Sequence, residues 1–319
     1  MQSKPGMWQQ TPPAIFPPIL GLLGLGLAWR RATEVFAVPR DIGEAMLGAV
    51  SILFLFAVVA YLAKFLRRPS ALVDDLRIMP GRAGISTGSM AAMLFAVAMV
   101  PYSADIAKWT FFAALAAHTV VAIIIISVLW GAPLAKRRMT PVWHLTFVGF
   151  IVAPLAGIPL GWIATSQLIF VLSIAAALTI WLGSLVLVAR NPVPPPLRPP
   201  LAIHLSPMVL LGIVAAMLGY DTLALIFGWL AILGMAILVI RTRYLTAAGF
   251  SPFWGAFTFP LAAFVNLMLI LAVSEAGIFR LLGGLSLIAA TIIIPIIAFK
   301  ILKMWAAGPL ATKSNASKV

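Results

Sequence analysis

The chain has 319 residues, of which 63% are hydrophobic and only 9% are charged, and its formal net charge is +14. Soluble domains are about half apolar and a quarter charged, so this composition excludes a soluble globular domain and indicates an integral membrane protein. The chain contains no cysteine, which excludes disulfides, thiolate metal sites and iron–sulfur clusters.

Ten apolar segments are long enough to cross a bilayer, whose hydrocarbon core of about 30 Å takes roughly 20 residues at helical rise. Short polar or proline-rich breaks separate them. The predicted fold is therefore an all-α polytopic membrane protein with ten transmembrane helices. In chain order the predicted spans are 14–34, 42–64, 84–102, 107–130, 142–158, 162–189, 200–219, 222–241, 252–274 and 281–304.

These spans divide the chain into three parts. Residues 1–13 form a predicted cytoplasmic segment, residues 14–304 the ten-helix transmembrane domain, and residues 305–319 a cytoplasmic tail. The run PVPPPLRPP (192–200) between spans six and seven is expected to be an extended surface connection, because successive prolines remove backbone donors and disfavour helix.

Lysine and arginine are distributed unequally between the two sides that ten spans define. Of the 22 such residues, 17 fall on the side of both termini. Because Lys and Arg are retained in cytoplasmic loops, both termini are predicted to be cytoplasmic. No nucleic-acid-binding motif accompanies the positive charge, so it is attributed to topology and no nucleic-acid partner is expected. The five residues on the opposite side are Arg30, Arg31, Arg40, Lys108 and Arg280.

No Asp, Glu, Lys or Arg lies in the middle of a predicted span, and His118 is the only deep ionisable group. Ionisable groups inside membranes are costly and often belong to proton relays, so His118 is a candidate proton site. The alternative is a neutral imidazole bonded to a neighbouring helix. The sequence has no metal-site, hydrolase or phosphate-loop motif and no paired carboxylates. Neither an enzyme, a metal nor a cofactor is therefore expected.

Prolines and glycines are concentrated in the odd-numbered spans, whereas spans two, four and eight have no interior proline. Broken backbone at membrane depth is tolerated where it is buried or lines a water-filled cavity. The pattern therefore favours five odd spans around a central pore and five even spans facing lipid, although both residues are also common in membrane helices generally. The candidates are Pro17, Pro18 and Gly21 in span one, Gly88 in span three, Gly149 in span five, Pro207 in span seven and Pro260 in span nine.

A pore without charged side chains suits a weakly selective path for anions. Its polarity would come from hydroxyls, amide groups and half-helix ends, and the positive cytoplasmic side would attract anions.

Three segments carry a resemblance to a known family: FPPILGLLGLGLAWR (16–30), RPPLAIHLSP (198–207) and SPFWGAFTFPLAAFVN (251–266). They resemble the tellurite-resistance/C4-dicarboxylate transporter (TehA) family, which includes the plant slow-type anion channels. The resemblance implies a homotrimer in which each protomer has its own pore, surrounded by five helical hairpins and lined by the odd helices.

The resemblance also implies site residues. A phenylalanine of the ninth helix plugs the pore in this family, and Phe259 in AFTFP matches it, with Phe257 as the nearest competitor and Thr258 between them. Span five has Thr146 or Gly149 where the family's inner helices kink.

Two functions follow from these observations. The first is a passive channel for small inorganic or organic anions in the plasma (bacterial inner) membrane, gated by Phe259. The second is a proton-coupled exporter of C4-dicarboxylates such as malate, or of tellurite oxyanions, which requires a protonatable site such as His118. A scaffold or intramembrane enzyme is a third alternative.

Overall fold

The computed structural model describes residues 8, 10–133, 137–190 and 192–317, which are predominantly helical and contain no strand. Lys4, Lys136 and Lys318, three of the residues predicted to be cytoplasmic, lie outside the described residues. So does most of the predicted N-terminal segment.

Within the described residues, nine helices are long and apolar enough to cross a membrane. A shorter apolar segment, His144–Gly157, lies between the fourth and fifth of them. We number these ten elements in chain order: α1 Phe16–Phe36, α2 Arg40–Arg67, α3 Met79–Met99, α4 Ala104–Trp130, α5 His144–Gly157, α6 Ile163–Arg190, α7 Leu205–Met217, α8 Asp221–Ile240, α9 Gly255–Ser274 and α10 Ala276–Ala306.

The element α5 is not a regular helix. It is π-helical over His144–Val148, 3-10 helical over Gly149–Val152 and α-helical over Pro154–Gly157. Pro154 has no N–H to continue the preceding hydrogen bonds. At a helical rise of about 1.5 Å per residue, α5 is too short to cross a core of about 30 Å. The expected total of ten full-length spans is therefore not confirmed.

The proline-rich connection before α7 corrects one prediction. Instead of extended backbone, it forms 3-10 turns over Pro195–Leu197 and Pro199–His204. Proline is tolerated in the first turn of a helix because the N–H groups there have no intrahelical partner. The prediction of extended geometry was wrong for these residues.

The odd and even elements occupy different layers. Each odd-numbered element packs against the even-numbered one that follows it, which gives five helical hairpins, and the odd elements contact one another in the closed cycle α1–α3–α5–α7–α9. In an 18-residue apolar stretch of each span, 61% to 72% of the residues are buried for the spans that contain α1, α3, α7 and α9, against 17% to 33% for the even spans. The predicted arrangement of helical hairpins around a centre is confirmed.

The two described ends of the chain meet on one side of this ring. Lys64 of α2 donates to the carbonyl of Thr11 at 3.2 Å, before α1 begins. Lys64 is also paired with Asp75, which lies in the short helix Ser70–Arg77. The backbone N–H of Ser317 donates to the Asp75 carboxylate at 2.7 Å. The C-terminal helix Pro309–Lys313 is thereby held near the beginning of α1.

Candidate pore

Two cavities lie within the ring of odd-numbered elements. The first, of about 50 Å³, is on the side where the chain ends meet, and Lys313 and Ser314 contribute to its lining. We call it the proximal cavity. The second, of about 120 Å³, is on the opposite side and is lined in part by Arg30, Arg31 and Glu34. We call it the distal cavity. Apart from the C-terminal pair, all lining residues in the described chain belong to odd-numbered elements or the turns that lead into them.

Phe259 is the one described residue that lines both cavities. Its side chain lies between them and is only 5% exposed. Gly24 of α1 lies beside the ring, since a Cβ at that position would be in van der Waals contact with the Phe259 Cδ2 atom at 3.5 Å. Leu20 and Leu210 line the proximal and distal cavities respectively. The wall on either side of the Phe259 ring therefore includes apolar side chains.

Phe257 lies on a different face of α9. Two residues along a helix correspond to a rotation of about 200°, and Phe257 lines a groove outside the ring together with Leu282 of α10 and Ile232 of α8. Its ring contacts Trp254 edge-on, with 5.8 Å between the ring centroids. Of the two phenylalanines considered as the gate, Phe259 therefore lies inside the ring and Phe257 outside it.

The close contact between α1 and α9 positions Phe259. The Thr258 hydroxyl donates to the Pro17 carbonyl at 3.1 Å, and the Asn266 amide donates to the Gly24 carbonyl at 2.9 Å. Gly21 lies directly against Thr258, and a Cβ at Gly21 would collide with the threonine side chain. Thr258 itself is fully buried in this contact and does not line either cavity.

The candidate kink residues divide into two groups. Pro17 and Pro260 line the proximal cavity. Pro260 is inside α9, where it cannot donate a hydrogen bond to the carbonyl one turn earlier. Pro18 and Pro207 are buried near the beginnings of α1 and α7. Gly88 lies in continuous helix against an aromatic ring of α1, so α3 has no break at this position.

His118 belongs to α4 and lines neither described cavity. Its Nε2–H donates to the Thr146 carbonyl at 2.9 Å, and its Nδ1 lies 2.7 Å from the Ser89 hydroxyl. Since a carbonyl can only accept, Nδ1 is free to accept from Ser89, as in a neutral imidazole. Thr146 also bonds the Ser86 hydroxyl at 2.9 Å, and Gly149 packs against the imidazole. The histidine thus joins α4 to α3 and α5.

The predicted first span, 14–34, contains Arg30 and Arg31, which were assigned to the side opposite the termini. The helix α1 extends to Phe36, and both residues line the distal cavity, which the sequence did not indicate. Arg30 is paired with Glu44, with 2.6 Å between Nη2 and Oε2. The apolar spacing that continues through Val35 and Phe36 was the signal for the longer helix.

A second group that sequence reasoning missed joins α5, α6 and the turn Pro199–His204 that precedes α7. His144 Nε2 lies 3.0 Å from His204 Nδ1, and His204 Nε2 lies 3.0 Å from the Ser184 hydroxyl. The Trp181 indole donates to the His204 carbonyl at 3.2 Å. These residues are far apart in the chain, so no local pattern in the sequence indicates that they meet.

A closed ring of inner helices, each backed by an outer helix and with an aromatic side chain between two axial cavities, defines a polytopic membrane protein built around a central path. The model of the voltage-dependent anion channel family matches residues 10–302, and the chain belongs to this family. The chain is accordingly a multi-pass membrane protein of a family of anion channels and transporters, as the resemblance implied. No curated protein matches it.

Proposed function

We propose that the protein is an anion channel in which small anions cross the membrane between the proximal and distal cavities of each protomer, and that Phe259 is the gate. The observation that carries this proposal is the position of Phe259, which alone among the described residues lines both cavities.

The chemistry of the two linings supports passage of anions. Lys313 lies at the proximal cavity and Arg31 at the distal cavity, so a cation is present at each end of the path. Between them the described lining residues are uncharged. Water leaves an apolar constriction readily, and an ion that enters it loses its hydration. A buried phenylalanine at this position therefore opposes ion flow until it moves.

The gate is tested with Phe259→Ala, and Phe257→Ala is the matched control because it removes the same ring from the groove outside the pore. In planar bilayers, anion conductance should rise in the first variant and remain at the native value in the second. Each 1.4 kcal/mol that the ring adds to the barrier corresponds to an increase of about tenfold. An unchanged current in Phe259→Ala would contradict the assignment.

Transport by a proton-coupled exporter of C4-dicarboxylates or tellurite oxyanions requires a titrating group on the path. His118, the deep histidine considered for that role, has partners for both ring nitrogens and lines neither cavity. In proteoliposomes, a channel should give currents that follow the gradients of chloride, nitrate or malate irrespective of a pH gradient. Flux that requires the proton gradient and is lost in His118→Asn would instead support the exporter.

The proposed location is the plasma (bacterial inner) membrane, with residues 14–304 as the channel domain and both termini in the cytoplasm. The proposed assembly is a homotrimer with one pore in each protomer. The exposed apolar side chains on the even-numbered spans support this location because lipid or another protomer would cover them. Mass measurement of the protein in lipid nanodiscs tests the trimer.

A further inference from the structure

The distal cavity is large enough to hold an anion with water. Its volume of about 120 Å³ is well above the roughly 10–15 Å³ that a single water needs. Leu94, Leu155 and Ile213 form part of its apolar wall. Charged groups in this lining are therefore held in surroundings where an electrostatic interaction is stronger than in water.

One face of α1 supplies all the described charged residues of this cavity. Gly24, Leu27, Arg31 and Glu34 line it at helical spacing, together with Arg30. Gly24 lies beside the Phe259 ring, and Arg31 follows two turns later, which corresponds to about 10 Å of helical rise. An anion at Arg31 would thus be close to the gate but separated from it by apolar wall.

The two arginines differ in how their charge is balanced. Arg30 makes two hydrogen bonds to the Glu44 carboxylate, at 2.8 and 2.6 Å, and a third to the Ala98 carbonyl at 3.2 Å. Arg31 makes no hydrogen bond or ion pair with any described residue, and its Nε is buried without a partner. Glu34, one turn further along α1, also makes no ion pair within the described chain.

We propose that Arg31 is the anchor of a binding site for a small oxyanion in the distal cavity. The guanidinium presents two parallel N–H groups that match the oxygens of nitrate or of a carboxylate. Arg31 is half-buried with its Nε buried and unpartnered; removing a cation from water without a partner is costly, and a bound anion supplies that partner. Glu34 lies near enough on the same face to compete for Arg31, which keeps binding weak and release fast, as conduction requires.

This inference rests on the proposed anion path, so its test measures occupancy of the cavity rather than current. The chain has no cysteine, and Leu27→Cys therefore introduces a single reporter thiol one turn from Arg31. We would measure its rate of reaction with a sulfonate-bearing and an ammonium-bearing methanethiosulfonate in proteoliposomes, with and without nitrate. Nitrate should slow both reactions, and the anionic reagent should react faster than the cationic one.

When Arg31→Gln is combined with Leu27→Cys, nitrate should no longer protect the thiol. The rate at which the thiol reacts with the anionic reagent should fall by about tenfold or more. When Glu34→Gln is combined with Leu27→Cys, nitrate should protect the thiol more strongly. This change is opposite to the one expected for Arg31→Gln, and misfolding would not produce it. Lys108→Gln is the control. Lys108 is exposed, lies near the start of α4 on the same side of the ring and lines neither cavity, so its loss should leave the protection unchanged.

Protection that persists in Arg31→Gln would overturn the proposal, and so would a reporter that neither reagent reaches. The outcomes for the site and the gate are separable. If Phe259→Ala carries no current but nitrate protects the thiol through Arg31, the site stands and the channel proposal falls. If Phe259→Ala conducts and the protection does not depend on Arg31, the channel stands and the site falls.

Discussion

Lys64 and Asp75 form an ion pair at 2.7 Å, and their side chains are 1% and 0% exposed. The Tyr61 hydroxyl donates to the same carboxylate at 3.0 Å. Through the carbonyl of Thr11 and the backbone N–H of Ser317, the pair also holds both described ends of the chain. A buried ion pair adds little net stability compared with apolar residues, but the loss of one partner leaves a buried charge without compensation.

Asp75→Asn should therefore lower the free energy of unfolding by about 3–5 kcal/mol, the usual cost of removing one partner from a buried ion pair. The neighbouring change Asp74→Asn is the control, because Asp74 pairs with Arg68 and Arg77 at the surface. Its loss should cost less than about 1 kcal/mol. Unfolding curves of the detergent-solubilised variants measure both, and equal losses would contradict the role given to the buried pair.

At the scale of the helices, the packing of α1 against α9 determines where Phe259 lies. Gly21 permits this approach, since a Cβ at that position would collide with Thr258, whereas a Cβ at Gly48, on the exposed face of α2, would meet nothing within 4 Å. The two glycines are both inside helices and therefore offer a matched comparison of backbone and packing effects.

Gly21→Ala should destabilise the protein by about 1–3 kcal/mol, because the added methyl forces α1 away from α9. Gly48→Ala should stabilise it by about 0.5–1 kcal/mol, since alanine loses less conformational freedom than glycine in a helix. Thermal unfolding in detergent compares the two variants with the native protein. Similar shifts for both would mean that the α1–α9 contact is not tight at Gly21.

The division into inner and outer helices could be predicted from the sequence because proline and glycine are unevenly distributed along it. The broken α5 could not be predicted in detail, since no local pattern in the sequence indicates that Gly149 packs against His118 of a different span. Because two residues along a helix are about 200° apart, Phe257 and Phe259 must lie on different faces of α9. Which of them faces the cavities depends on the packing of the neighbouring helices, which the sequence alone does not give. The sequence predicted the side on which Arg31 lies but not that it lines a cavity, because that depends on which face of α1 packs toward the ring.

At the scale of the whole molecule, the described ends of the chain lie on one side of the ring, and the α3–α4 connection lies on the other. Asp105, in the first turn of α4, and Thr312, in the C-terminal helix, are both exposed. The excess of Lys and Arg on the terminal side predicts that this side faces the cytoplasm.

Single-cysteine variants test this orientation in a chain that has no cysteine of its own. In intact cells, an impermeant maleimide should label Asp105→Cys, and it should label Thr312→Cys only after the cells are permeabilised. Labelling of both variants without permeabilisation would show that the proposed topology is wrong.

The inner and outer layers also differ in how well each helix is suited to lipid. The two spans of lowest mean hydropathy, α1 and α3, are inner ones, and each is followed along the chain by a more apolar outer span. During synthesis, segments leave the translocation machinery for the lipid according to how apolar they are. We therefore expect an inner span that emerges alone to be retained less well than the outer span that follows it. On this basis the ring should enter the membrane one hairpin at a time, in the order of the helices along the chain.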